Sequence, residues 1–381
     1  MTDFHNNAES NATPKLFRQL HGWFTDTAVI VLSTLILLIG FSFLSWAFFA
    51  IRGPGSGPDY YRNFRPRAIH RMDTDQAIRF FKEFDRMGEN ETYIYQPWVA
   101  FSERVFHSPR LNVDEAMPMP TRRTIRTNSD RGGRPLVVWA FGGSTMFGWG
   151  VPDEETIASH LSAILSRDLP TRTVAVINHG HSYYFSSQEL TLLQMLLRRG
   201  DHCDVAVFLD GLNDSTLYAL QDVPAFTDRM RVAMEKEQDR NPAAQTYFSV
   251  SPDFPPLRLL RGVGRRFTQQ PVSRPPEIPT HVLVSRYQFN LRAEAALGSR
   301  HGIKTLFFWQ PVPGEPEYAS ARELAVRISQ EVQAGDFHFL ADIFQDMDPR
   351  DVWVDQHHYG DIANERVAEA IAREVLALVG N

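Results

Sequence analysis

A chain of 381 residues, 43% of them hydrophobic, is long enough for one large α/β core with appendages. The formal charge of −6 supplies no overall basic field, and no Lys/Arg run is long or aromatic-interleaved enough to grip nucleic acid, so that partner class is set aside. A single cysteine, Cys203, excludes an internal disulfide and any cysteine-rich metal site; beside a predicted strand it reads as a small packing residue.

Residues 1–27 form an N-terminal tail. From Ala28 to Ile51 come 24 residues without a charge, "AVIVLSTLILLIGFSFLSWAFFAI". As a helix this stretch reaches about 36 Å, longer than a hydrocarbon core of about 30 Å, so it can span with some tilt. A buried core helix seldom lacks a polar face for so long, and a cleaved signal has a shorter apolar region with a small-residue cleavage site after it. The segment is therefore read as one uncleaved membrane anchor. Lys15 and Arg18 precede it, whereas Arg52, Arg62, Arg65 and Arg67 follow, and a plain count of these favours a cytoplasmic C-terminal domain.

Residues 52–135 are a Gly/Pro linker followed by an accessory region with a helix over Asp75–Met87 and short extended stretches. Tyr93, Tyr95, Trp98 and Phe101 suggest that this region packs on the main domain rather than folding alone. From 136 to 381 short apolar runs alternate with amphipathic segments. Strands are predicted at Leu136–Ala140, Thr173–Asn178, Asp204–Leu209 and Lys304–Trp309, and helices near Glu154–Arg167, Ser187–Arg199, Val284–Ser299, Ser320–Gln333 and Ile362–Val379. Apolar strands linked by helices predict a three-layer α/β/α fold around a central parallel sheet, with ligands beyond the strands' carboxyl ends. The Pro-, Arg- and Gln-rich stretch at about 218–282 reads as an insertion whose arginines form a solvated face.

Four short motifs end on that edge. In "FGGSTMFG" Ser144 follows the first strand, and Gly142 and Gly143 permit a tight turn. The second strand ends in "VINHGHSYY", where Gly180 offers a backbone N–H to a developing oxyanion and Asn178 can fix the turn. His179 and His181 form an H-x-H pair with no third ligand suitably spaced, so no metal is expected. The third strand ends in "GLNDS", placing the neutral amide donor of Asn213 two residues beyond a glycine. Near the C-terminus, "DQHH" sets Asp355 three residues before His358, a spacing at which a turn brings the carboxylate to one ring nitrogen and leaves the other for a serine proton. His357 is the competing base, closer in sequence to Asp355, and His358 is preferred.

In this order "FGGSTMFG", "NHG", "GLND" and "DQHH" resemble the four sequence blocks of the SGNH hydrolases, the GDSL-like esterase and acyltransferase superfamily, over Leu136 to the C-terminus apart from the insertion. The resemblance implies a flavodoxin-like fold with Ser144 as nucleophile, Gly180 and Asn213 as oxyanion donors, His358 as base and Asp355 as its orienting group, working without a cofactor. The first block reads GGST rather than GDS, resembling a bacterial membrane-anchored subgroup, and Tyr183 stands where many members carry glycine. It further implies an acyl-serine esterase acting on acetyl groups of a polysaccharide or cell-envelope glycan, or an O-acetyltransferase using the same site; a catalytically silent carbohydrate-binding scaffold is the alternative from a different class, disfavoured because every triad and oxyanion position is present. By the same analogy the catalytic domain is expected in the periplasm of a bacterial inner-membrane protein, against the arginine count. A lipase is less favoured, because the insertion is polar rather than an apolar lid.

Overall fold

The computed structural model describes residues 12–52, 64–89, 92–125, 133–216, 279–332 and 337–380, with isolated positions at 219, 221, 222 and 224. Most of the predicted insertion lies outside the described residues. The chain divides into two units, one comprising 1–56 and 241–275 and the other 57–240 and 276–381.

Among the described residues of the first unit, the helix α1 (Ala12–Arg52) runs past both ends of the predicted span. Its window His21–Leu44 has a mean hydropathy of 2.5 with none of it buried, which makes it long and apolar enough to cross a membrane.

The second unit begins with a 3₁₀ turn, Pro66–Ala68, and α2 (Thr74–Glu89). A hairpin follows, β1 (Tyr93–Gln96) paired antiparallel with β2 (Ala100–Glu103). Next come β3 (Phe106–His107), β4 (Asn112–Asp114) and β5 (Thr121–Arg122), then β6 (Leu136–Gly142), α3 (Ser144–Phe147) and α4 (Ile157–Asp168). The remaining elements are β7 (Val174–Gly180), α5 (Ser186–Arg199), β8 (Val205–Asp210), α6 (Thr280–Arg300), β9 (Lys304–Trp309), α7 (Ala319–Glu331), β10 (Phe337–Phe339), α8 (Pro349–Val352) and α9 (Asp361–Val379).

The main sheet has the order β10-β9-β8-β6-β7-β5-β4-β3. Its first five strands are parallel, and β5, β4 and β3 continue it antiparallel beyond β7. The accessory region thus supplies strands to the same sheet, and no layer boundary falls at residue 135. In β10 the sheet has a parallel edge strand absent from the sequence reading, because three residues are too short to show a period. The insertion also ends sooner than predicted: residues 280–282 already belong to α6, which starts at Thr280.

Period-two alternation explains the layers. Along β6, Trp139 and Phe141 face one side, where they join Phe208, Phe307 and Trp309 beneath α5, α6 and α7. Leu136, Val138 and Ala140 face the other, with Val207, Leu209 and Phe308 beneath α4 and α9. Both faces being covered, the parallel strands are apolar almost throughout. A third cluster joins Phe80, Phe81 and Phe84 of α2 to Leu111, Val113, Phe147 and Val354, seating the accessory region beside α3.

In the parallel part of the sheet the strand order is 2-1-3-4-5, so the chain reverses its direction of winding between β6 and β8. A crevice forms where the loops after these strands diverge. That is where the predicted serine and asparagine lie.

Candidate active site

Ser144 opens α3 directly after β6, with Gly143 at the N-cap in an extended conformation. The turn is closed by Phe147 N–H donating to the Gly143 carbonyl at 3.0 Å and by Trp149 N–H donating to that of Ser144 at 3.0 Å. These bonds project the hydroxyl over the end of the sheet.

The predicted base, His358, arrives from the loop between α8 and α9. Val354 N–H donates to the His358 carbonyl at 2.9 Å and Gly360 N–H to that of Val352 at 2.7 Å, making a tight loop around residues 354–358. Inside it, Asp355 Oδ1 accepts from the amides of His357 (2.9 Å) and His358 (2.8 Å). Its other oxygen lies 2.6 Å from His358 Nδ1, and His358 Nε2 lies 2.7 Å from Ser144 Oγ. Tyr359 Oη donates to the Pro311 carbonyl at 2.7 Å, tying this loop to the end of β9.

Asp355 and His358 are 9% and 6% exposed, dry enough for the carboxylate to hold the imidazole firmly. Burial pushes the Asp355 carboxyl up, but the His358 ring, followed by His357 and its backbone amide, outweighs it and holds the group below the usual carboxylate range. His357 meets the phenol oxygen of Tyr318 at 3.3 Å through Nδ1. Burial, with His358 as neighbour, lowers its pKa to about 4, so it is neutral near pH 7. Of the two histidines only His358 reaches the serine.

Asn213 begins the 3₁₀ turn Asn213–Ser215 after β8 and shares a narrow cleft with Gly143, Ser144, Tyr184, Gly211 and Gln310. One hydrogen of its amide is bound to the Tyr184 carbonyl, with Nδ2···O 2.7 Å, so the group is oriented while the second hydrogen stays available.

Gly180 departs from expectation. Its N–H donates to Asn178 Oδ1 at 2.9 Å, and the residue does not line the cleft. A Cβ there would lie 2.4 Å from the Phe147 nitrogen and 2.7 Å from the Met146 carbonyl carbon. Gly180 is thus required for α3 to pack on β7, and its amide is committed to the turn rather than aimed at a substrate. Asn178 completes the brace by donating to the Met146 carbonyl at 2.8 Å. Tyr183, where the resembled family often has glycine, takes a left-handed φ of 64°. Among the described residues no group of three or more His, Cys, Asp or Glu is arranged to hold a metal ion.

Sequence reasoning missed Glu103 and Arg122. Arg122, on β5, is wholly buried: its Nε donates to Asp153 at 2.9 Å and its Nη2 to the Val151 carbonyl at 2.9 Å, bracing the loop that follows α3. Glu103 binds His181 and Ser182. Neither lies in a motif, and a lone charge at the end of a short strand carries no signal of burial.

Fold and geometry together define an α/β/α protein with a serine–histidine–aspartate triad and an amide donor at the carboxyl edge of its sheet. No family model matches the chain, and no curated protein matches it. Solved structures similar to it include an acetylxylan esterase from Geobacillus stearothermophilus, determined as a catalytic mutant, at 11% identity over 65% of this chain and 96% of that one, with a TM-score of 0.39. A two-domain esterase active on acetylated mannans is similar at 14% identity over 66% of this chain and 51% of that one, with a TM-score of 0.40. A lipolytic protein of the G-D-S-L family from Desulfitobacterium hafniense is similar at 12% identity over 63% of this chain and 99% of that one, with a TM-score of 0.36.

Proposed function

We propose that the protein is a serine esterase working through an acyl-serine, with a small acyl group, acetyl in the first instance, carried on an envelope glycan. The observation that carries this reading is the unbroken line Asp355–His358–Ser144, with contacts of 2.6 and 2.7 Å. His358 Nε2 takes the hydroxyl proton as Ser144 Oγ attacks the ester carbonyl, and Asp355 stabilises the imidazolium that forms. The free N–H of the Asn213 amide and the backbone N–H of Ser144 face the developing oxyanion. On collapse His358 returns the proton to the departing alkoxide; water then repeats the sequence on the acyl-serine, releasing the acid. A sugar hydroxyl in place of water makes the same site an O-acetyltransferase.

The helix α1 is proposed as a single membrane anchor, with the second unit on the periplasmic side. Two arginines counted against that orientation belong to the folded unit: Arg65 N–H bonds the Val354 carbonyl, and Arg67 pairs with Asp348 and Asp351. Lys15 and Arg18 then face Arg52 and Arg62 across the span, and the count no longer favours a cytoplasmic domain.

The test is hydrolysis of 4-nitrophenyl acetate by the full-length protein in detergent, wild type against Ser144→Ala, with and without an oligosaccharide acceptor. We expect kcat/KM to fall by about 1000-fold or more in the variant. Equal rates for the two proteins would falsify the nucleophile assignment, and acetyl recovered mainly on the sugar would make the enzyme a transferase.

A further inference from the structure

Glu103 lies at the end of β2, in the accessory region, and is 0% exposed; His181, just beyond β7, is 1% exposed. Glu103 Oε2 is 2.7 Å from His181 Nδ1, and Oε1 accepts from Ser182 N–H at 2.8 Å. Burial opposes ionisation of Glu103, yet the His181 and Ser182 bonds outweigh it and hold its pKa below the usual value. An ionised carboxylate only accepts, so His181 Nδ1 carries the proton, and its Nε2 is left buried with no hydrogen-bond partner. Burying such a pair is costly and is weak support for stability by itself.

What the pair does is hold a turn. His181 N–H donates to the Gly142 carbonyl at 3.0 Å and Tyr184 N–H to that of His181 at 3.2 Å, while Tyr184 Oη donates to the Phe101 carbonyl on β2. The Tyr184 carbonyl so placed is the acceptor that orients Asn213 Nδ2 at 2.7 Å. Gln188 Nε2, donating to the Val99 carbonyl at 2.9 Å, closes the hairpin against the start of α5. A continuous set of bonds therefore runs from an accessory strand to the proposed oxyanion donor.

We infer that Glu103 is a positioning residue of the active site: through His181 and Ser182 it sets the height of the 181–184 turn, and through the Tyr184 carbonyl the aim of the Asn213 amide. The inference rests on the active-site reading above. It makes residues 93–103 part of the catalytic apparatus rather than a cover on it.

A double-mutant cycle tests it on the full-length protein with 4-nitrophenyl acetate. Glu103→Ala is expected to lower kcat about 10- to 100-fold with KM within about threefold, since it displaces a donor whose complete removal costs about 10²–10³. In an Asn213→Ala background the same change should cost less than about threefold, because the group it acts through is gone. Glu103→Gln should recover most of the rate: its carbonyl accepts from Ser182 and its NH₂ donates to the other tautomer of His181. Should Glu103→Ala fail to fold, Glu103→Asp enters the same cycle, its shorter stem being unable to reach His181 and Ser182 together. A full penalty in the Asn213→Ala background, or an unchanged kcat in the single variant, overturns the inference. Ser144→Ala is run alongside: if it stays active the site reading falls, whereas if it is dead and the other two effects are independent, only this inference falls.

Discussion

A Cβ on Gly143 would sit 2.4 Å from Asn213 Nδ2 and 3.1 Å from the Tyr184 carbonyl oxygen. The N-cap of α3 is therefore glycine because the amide donor lies against its backbone, a close approach that no side chain permits. Gly143→Ala is expected to push Asn213 off the Tyr184 carbonyl and lower kcat by about 100-fold, with the midpoint of thermal unfolding moved by only a few degrees; an alanine variant of unchanged kcat refutes that account. At this scale Ser144, Asp355, His358 and Asn213 were legible in the sequence, because each stands in a short motif at the end of a recognisable strand or before the last helix. The preference for His358 over His357 agrees with the contacts, since only the former meets Ser144 Oγ. The role expected for Gly180 was not legible, because the direction of an N–H depends on what accepts it, and here that is Asn178 Oδ1.

Behind the Asn213 turn, four buried carboxyl groups from separate elements gather: Asp210 at the end of β8, Asp214 in the 3₁₀ turn, Glu189 on α5 and Glu294 on α6. Burial, followed by mutual repulsion, pushes the Asp210, Glu189 and Glu294 carboxyls well up. Burial likewise pushes Asp214 up, to about 6, although Ser186 donates to its Oδ1 from both Oγ (2.6 Å) and N–H (3.2 Å). Tyr287 Oη donates to Asp210 Oδ2 at 3.1 Å, joining α6 to the cluster. A carboxyl that holds its proton more tightly folded than unfolded favours the fold in acid and loses that advantage as pH rises through its folded value. For Asp214, raised from 3.8 to about 6, the loss is about 3 kcal/mol, spread between pH 4 and pH 6. Asp355 has the opposite sign: its lowered pKa contributes stability above the ordinary carboxylate value that is lost in acid. Thermal unfolding of the full-length protein and of Asp214→Asn from pH 4 to 8 isolates the first effect. The variant should gain on wild type as pH rises, and curves that stay parallel would remove the cluster from the account. No motif announced this group, because its members lie far apart along the chain and each resembles an ordinary helix or turn acid.

Across the whole molecule, the cleft sits where the order 2-1-3-4-5 reverses the winding, with Ser144 after the first parallel strand and Asn213 after the third. The late loop brings His358 across 214 residues of chain to the same place. The topological proposal is tested by a reporter fused after Asn381 that is active only outside the cytoplasm. Signal from it is expected, and silence alongside a normally expressed fusion reverses the assigned orientation.

The chain's order of residues determined by itself the apolar span near the N-terminus, the alternation of buried strands and amphipathic helices, and the serine, asparagine, aspartate and histidine proposed to carry the chemistry. Each of these is encoded over a few neighbouring positions, as a hydrophobic period, a run without charge or a turn of fixed length. Only the tertiary structure decided that β3, β4 and β5 extend the main sheet, that Glu103 and Arg122 are buried, and that Gly180 is a packing glycine with a committed amide. Those outcomes depend on which edge a short strand pairs with and which acceptor a distant loop presents. Both are set by closing one core on both faces of the sheet, where non-local contacts compete for the same space.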